Sequence, residues 1–238
     1  MNIDGLLYYP PESSYTADIP GYGTAPVPHI LCQSQPQQRR RLQRTIIYYH
    51  GNAVDCGQMR EFGQYLANEA GCNVMLIEYP GYGPYQMGQG NSSIRTGPSS
   101  QQIRDDVKVL ARHLLHSNNM YYVMGQSIGT GPAAYLSRKI KKQCLGLLLL
   151  TPYISFRTLA RDYSILGMLV YNYFTPLNDC KETKIPVRVY HGTQDEIIDY
   201  SHAVQYNMLP HVALHSYHCT HNDIIDHCIA DLLRILVK

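Results

Sequence analysis

From Thr45 onward the chain alternates short β-branched or apolar runs with longer stretches of helical period, and no other feature restricts its fold as strongly. Consecutive strands that run the same way need a crossover between them, so this alternation predicts a parallel sheet with helices on both faces. The runs are Ile46–Tyr49, Asn73–Tyr79, Tyr121–Gly125, Leu145–Leu150, Val187–Tyr190 and Val212–Tyr217. Gln101–His116 places Ile103, Val107, Leu110, Ala111, Leu114 and Leu115 on one stripe, with Ser99 or Ser100 as N-cap. The last stretch repeats the pattern with Ile224, Ile225, Cys228, Ile229, Leu232, Leu233 and Leu236 after Asp223, a charge suited to a helix start. Met59, Phe62, Leu66 and Ala70 mark another helix, and Ile128–Ile140 a fourth.

A chain of 238 residues, 45% of them hydrophobic, can bury one sizeable core. The expectation is therefore a single α/β domain over residues 1–238, with a mostly parallel, twisted sheet. Four segments interrupt the alternation. Leu6–Pro28, rich in Tyr, Pro and Gly, is expected to hold one or two antiparallel edge strands, so that residues 1–44 form an N-terminal edge and loop. Gln33–Arg44, with Arg39, Arg40, Arg41 and Arg44, reads as a solvated loop or a dock for an anionic surface. Pro80–Pro98 reads as a long loop of the kind kept for function. Residues 151–186 form a lid-like excursion between two strands.

Charge and composition exclude several functions. Twenty Lys and Arg face eighteen Asp and Glu, a net charge of +2, so no strong field draws the molecule to nucleic acid. The apolar runs fall short of the ~18 residues needed to cross a bilayer. The start, Met1-Asn2-Ile3-Asp4, lacks the pattern of a secretory signal, and Asn2 does not suit myristoylation. Seven scattered cysteines without a CxxC pair predict reduced thiols, hence a cytoplasmic setting.

The chemistry concentrates at strand ends. Strand Tyr121–Gly125 runs into Gly125-Gln126-Ser127-Ile128-Gly129 and then a helix, the strand-turn-helix setting of a GxSxG nucleophile elbow. A serine hydroxyl is a poor nucleophile at neutral pH, so the reading demands a histidine base and an acid to orient it. Asp195 follows the strand Val187–Tyr190, and His221 follows Val212–Tyr217 just before the final helix. Ser127, Asp195 and His221 thus converge on one edge of the sheet as a triad. A tetrahedral intermediate needs preorganised donors. The backbone amide of Asn52, in His50-Gly51-Asn52-Ala53 after the first strand, and that of Ile128 are expected to form the oxyanion hole. His50 and His191 read as loop-bracing hydrogen-bonders.

The motifs His50-Gly51-Asn52-Ala53, Glu78-Tyr79-Pro80-Gly81-Tyr82-Gly83, Gly125-Gln126-Ser127-Ile128-Gly129-Thr130-Gly131-Pro132, His191-Gly192-Thr193-Gln194-Asp195-Glu196 and His221-Asn222-Asp223 resemble the α/β-hydrolase superfamily. More narrowly, with Tyr9-Pro10-Pro11-Glu12-Ser13-Ser14-Tyr15, they resemble the α/β-hydrolase domain-containing protein 17 and Bem46-like group over about Tyr8–Lys238. The resemblance implies the α/β-hydrolase fold, the triad Ser127, Asp195 and His221, and protein S-depalmitoylation, a thioester hydrolysis. That group carries an N-terminal cysteine cluster, whereas the first cysteine here is Cys32. At most a peripheral membrane contact is expected. The loop Pro84–Pro98 also looks longer than its counterpart in that group.

Alternatives remain open on the residues themselves. His211, His215, His218, Cys219 and His221 offer zinc-like ligands, although no metal or organic cofactor is expected. Glu196, Asp199 and Asp223 compete with Asp195 as the acid. The fold also hosts peptidases, small-ester or lipid esterases and non-catalytic scaffolds. The expected substrate is an acyl ester or thioester, S-acylated protein among them, held by a monomer. Leu166, Leu169 and Phe174 of the apolar excursion, with the tyrosines of Tyr79–Tyr85, are expected to line its acyl slot.

Overall fold

The computed structural model describes residues 7–23, 25–35, 44–86 and 97–237, and for residues 165 and 166 the backbone alone. The run Arg39–Arg41, Leu6, most of the Pro84–Pro98 loop and the side chain of Leu166 lie outside the described residues.

Strands β1 (His29–Cys32), β2 (Arg44–Tyr49), β3 (Asn73–Ile77), β4 (Met120–Gln126), β5 (Cys144–Leu150), β6 (Val187–Gly192) and β7 (Val212–Tyr217) form one sheet in the order β1-β3-β2-β4-β5-β6-β7. β1 runs antiparallel to β3, and every other pair is parallel. The central strands carry near-continuous apolar runs because both faces are covered. In β2, Ile47 and Tyr49 enter one core layer while Ile46 and Tyr48 enter the other.

Seven helices follow in chain order among the described residues. They are α1 (Arg60–Ala70), α2 (Ser100–Leu115), α3 (Thr130–Lys139), α4 (Phe156–Tyr163), α5 (Pro176–Thr183), α6 (Ser201–Tyr206) and α7 (Ile224–Leu236). α1 and α7 cover one face of the sheet through Leu66, Ala67, Ile224, Cys228 and Leu232. α2 and α3, with α4 to α6, cover the other through Val107, Leu110, Leu136, Phe156, Cys180 and Tyr206. Ser99 caps α2 by accepting from the Gln102 N–H. Leu232 in α7 is fully buried, so Leu232→Ala would cost roughly 2–5 kcal/mol.

The N-terminal expectation needs correction. The antiparallel edge strand lies at His29–Cys32, after the Leu6–Pro28 segment, whose described residues contribute the bridge Tyr22–Ile30. Pro10, Pro11, Pro20, Pro26 and Pro28 lack the N–H a ladder requires, whereas the following apolar run can pair with β3 in full. The stretch Ile128–Ile140 is also not one helix. A tight 3-10 turn over Ser127–Gly129 precedes α3. The 151–186 excursion folds as α4, a 3-10 turn over Ile165–Leu169, and α5.

Candidate active site

β4 ends at Gln126 and α3 begins at Thr130, so three residues must reverse the chain. Ser127 does so with φ of 52°, a left-handed conformation that costs a side-chain-bearing residue about 1–3 kcal/mol. Close approach of strand and helix makes the turn possible. A Cβ on Gly125 would stand 2.5 Å from the Gly129 carbonyl oxygen, and one on Gly129 would collide with the Tyr49 and His50 carbonyls. Both flanking glycines of the motif therefore have a steric reason.

The structure brings Ser127, His221 and Asp195 into one chain of hydrogen bonds. His221 Nε2 lies 3.0 Å from Ser127 Oγ, and its Nδ1 lies 2.8 and 2.9 Å from the two Asp195 carboxylate oxygens. With Nδ1–H donated to Asp195, the Nε2 lone pair faces the serine hydroxyl. The Asp195 side chain is fully covered, and its Oδ1 also accepts from the N–H groups of Ile197 and Ile198. Burial pushes the Asp195 carboxyl up, but hydrogen bonds from His191 and His221 and the His221 ring outweigh it and hold the group below the usual carboxylate range.

The competing acids are engaged elsewhere. Asp199 accepts from the Ser201 N–H and Asp223 from the Thr220 hydroxyl, while Glu196 reaches the backbone N–H of His221 at 3.4 Å. The zinc-like set is dispersed as well. His211 bonds the Cys180 carbonyl, His215 stacks on Tyr190, and His218 is exposed.

Beside the serine, the loop after β2 runs close enough that a Cβ on Gly51 would lie 3.9 Å from Ser127 Cβ. The Asn52 side chain fixes this loop. Its Oδ1 accepts from the N–H groups of Tyr9 and Ala53 and from the Tyr82 hydroxyl, and its Nδ2 donates to the Leu7 carbonyl. Among the described residues the Asn52 backbone N–H has no acceptor. The Ile128 N–H follows Ser127 at the start of the turn into α3.

The two expected substrate contacts with described side chains, Leu169 and Phe174, stand apart. Leu169 is 84% exposed on the surface, and Phe174 is buried in the core against Tyr135 and Phe156. Leu166 lies outside the described side chains. Tyr79 and Tyr82 are buried too, because their hydroxyls donate to the His50 carbonyl and to Asn52. Through these bonds they brace the loop beside Ser127.

The residue that sequence reasoning missed is Glu78, buried just past β3. It accepts from His50 Nε2, the Tyr15 hydroxyl and the N–H groups of Cys56 and Tyr79, so it ties the N-terminal segment and the loop after β2 to the end of β3. A carboxylate at the carboxyl end of a buried strand, directly before Pro80-Gly81, was the available signal. Ligand atoms of His50, Cys56 and Glu78 lie within 4.8 Å of one another. Burial and the Glu78 and Asp55 charges push the Cys56 thiol up, so Cys56 is not a ready thiolate ligand.

Comparison with known proteins agrees with this architecture. A family model described as serine aminopeptidase, S33, matches residues 40–178, more than half of the chain. The chain is 30% identical over 166 residues to α/β-hydrolase domain-containing protein 17C of Xenopus tropicalis, covering 67% of this chain and 49% of that one. It is 33% identical over 233 residues to α/β-hydrolase domain-containing protein aho-3 of Caenorhabditis elegans, covering 85% and 66%. The match thus spans about half the length of the vertebrate relative. Est1E from Butyrivibrio proteoclasticus, solved with ferulic acid, superposes with a TM-score of 0.65 at 14% identity over 89% of this chain and 93% of that one. The monoacylglycerol lipase of Paleococcus ferrophilus gives 0.59 at 12% identity over 88% and 97%. These two likenesses show the fold. No helix among the described residues is long and apolar enough to cross a membrane. By family match and by fold, the chain belongs to the serine aminopeptidase S33 family of α/β hydrolases.

Proposed function

We propose that the protein is a serine hydrolase that cleaves carboxylic esters or thioesters through an acyl-serine intermediate. The observation that carries the reading is the position of His221, within hydrogen-bond reach of both Ser127 Oγ and the buried Asp195 carboxylate. Ser127 Oγ attacks the acyl carbon as its proton passes to His221 Nε2, and Asp195 stabilises the imidazolium that results. The negative charge that develops on the carbonyl oxygen is received by the backbone N–H groups of Asn52 and Ile128. Collapse breaks the bond to the leaving alcohol or thiol, which takes the proton from His221. Water, deprotonated by His221, then releases the acid and restores Ser127.

A thiolate departs with less help from a general acid than an amine does, so thioesters are the less demanding substrates for this array. S-acylated protein is the natural substrate in this reading, supported by the relatives of the 17C type and by the exposed apolar side chains Tyr163, Met168, Leu169 and Tyr171. Of these, Tyr163 stands near the acid, since its hydroxyl donates to the Ile197 carbonyl two residues past Asp195. The name of the matched family favours peptide hydrolysis as the second reading. The test is kcat/KM on p-nitrophenyl esters and acyl-cysteine peptides from two to sixteen carbons, beside aminoacyl p-nitroanilides. A rise with chain length and clear thioesterase turnover is expected. A fall beyond acetate without thioesterase activity would replace the reading with a small-ester hydrolase, and preference for the anilides with a peptidase.

A further inference from the structure

Asp195 has a second histidine. His191, the penultimate residue of β6, is fully buried, and its Nε2 lies 2.8 Å from the Ile198 carbonyl and 3.2 Å from Asp195 Oδ2. Both neighbours are acceptors, so Nε2 carries the hydrogen and shares it between them. That leaves Nδ1 as a bare lone pair, and among the described residues it has no partner. A buried nitrogen without a partner is an uncompensated cost that an apolar side chain of similar size would avoid. Retaining an imidazole here points to the work of Nε2. The Ile198 N–H donates to Asp195 Oδ1, so His191, Ile198 and Asp195 close a ring that clamps the turn 195–198.

We propose that His191 is a positioning residue, whose Nε2–H fixes the Asp195 carboxylate that orients His221 toward Ser127. The inference rests on the acyl-serine reading and deepens it. His191 acts through Asp195 and touches neither Ser127 nor substrate. The other polar or charged groups around the pair are Tyr200, whose ring meets His191 edge-on, Asp199 on the loop ahead of α6, Ser216 opposite His191 on β7, and Glu196, Tyr163 and Cys219 about Asp195. None of the hydrogen bonds of these groups reaches the Asp195 oxygens, which are taken by His191, His221, Ile197 and Ile198.

The test compares wild type, His191→Leu, His191→Asn and His191→Gln in the pH dependence of the second-order rate at which a fluorophosphonate labels Ser127, with Tm measured on each. A glutamine amide reaches the place of Nε2, and an asparagine amide falls short. Loss of the donor leaves the Asp195 charge acting on His221 alone, which favours the imidazolium and removes the base form at a higher pH. His191→Leu and His191→Asn are therefore expected to label roughly tenfold to a hundredfold more slowly, the loss typical of supporting partners. Their acidic limb should move up by about half to one pH unit. His191→Gln should recover the rate to within a few-fold and return the limb to its wild-type position. If His191→Leu does not fold, His191→Asn against His191→Gln decides. Wild-type labelling by His191→Asn, or equal slowing of Asn and Gln variants with an unmoved limb, would overturn the inference. Failure of wild type to label would instead overturn the acyl-serine reading.

Discussion

Tyr82 donates its phenolic hydrogen to Asn52 Oδ1 across 2.6 Å, and through that bond a tyrosine 30 residues downstream holds the loop whose backbone is proposed to receive the oxyanion. The same oxygen takes the N–H groups of Tyr9 and Ala53, so the loop, the N-terminal segment and the turn after β3 are fixed together. Geometry at Asn52 therefore depends on a side chain, although the proposed donor is its main chain.

Asn52→Ala removes these hydrogen bonds while keeping the backbone N–H. At roughly 0.5–1.5 kcal/mol each, their loss should lower Tm by several degrees. Turnover should fall by about tenfold or more, less than the hundredfold to thousandfold loss of an oxyanion donor itself. Thermal melting and ester hydrolysis read the two effects, and wild-type turnover in the variant would show that Asn52 does not position the loop.

His221 and His218 stand three residues apart with opposite surroundings. His221 contacts Ser127 and Asp195, whereas His218 is exposed after β7. His221→Ala is expected to lower kcat by about three orders of magnitude or more, and His218→Ala by less than about threefold. Steady-state kinetics on a soluble ester checks the ranking, and the reverse order would refute the assignment of the base.

Sequence patterning reached the strands β2 to β7, the two helix layers and the strand ends that carry Ser127, Asp195 and His221, because each depends on local chemistry: apolar runs buried on both faces, Ser99 at a helix start, glycines where β4 meets α3. It misplaced what depends on partners far along the chain. Leu169 and Phe174 share one apolar stretch, yet one faces solvent and the other fills the core beside Tyr135, a distinction that only the packing of α4 and α5 creates. Tyr79 and Tyr82 read as slot-lining aromatics because hydrophobicity is visible in a sequence and the acceptors of their hydroxyls are not. Glu78 was passed over for the same reason. Its four donors come from Tyr15, His50, Cys56 and Tyr79.

Away from the site, Asp179 in α5 is buried beside Arg138, with Arg138 Nε 2.7 Å from its Oδ1. Burial pushes its carboxyl up to about 6 against the opposing pull of Arg138 and Arg104. A carboxyl raised in the folded state adds stability that is full below its unfolded value, near 4, and is lost as pH rises through about 6. The Tm of Asp179→Asn relative to wild type should therefore improve between pH 4 and pH 8. A difference that moves the other way would mean that the Arg138 ion pair outweighs burial.

The most direct test of the central claim is covalent labelling of the folded protein by a fluorophosphonate, with the modified residue mapped by peptide mass spectrometry in wild type and Ser127→Ala. The account expects one adduct, on Ser127, and none in the variant, whose Tm should stay within a few degrees because only a small hydroxyl is lost. An unlabelled wild type, an adduct on another residue, or undiminished ester hydrolysis by Ser127→Ala would contradict it.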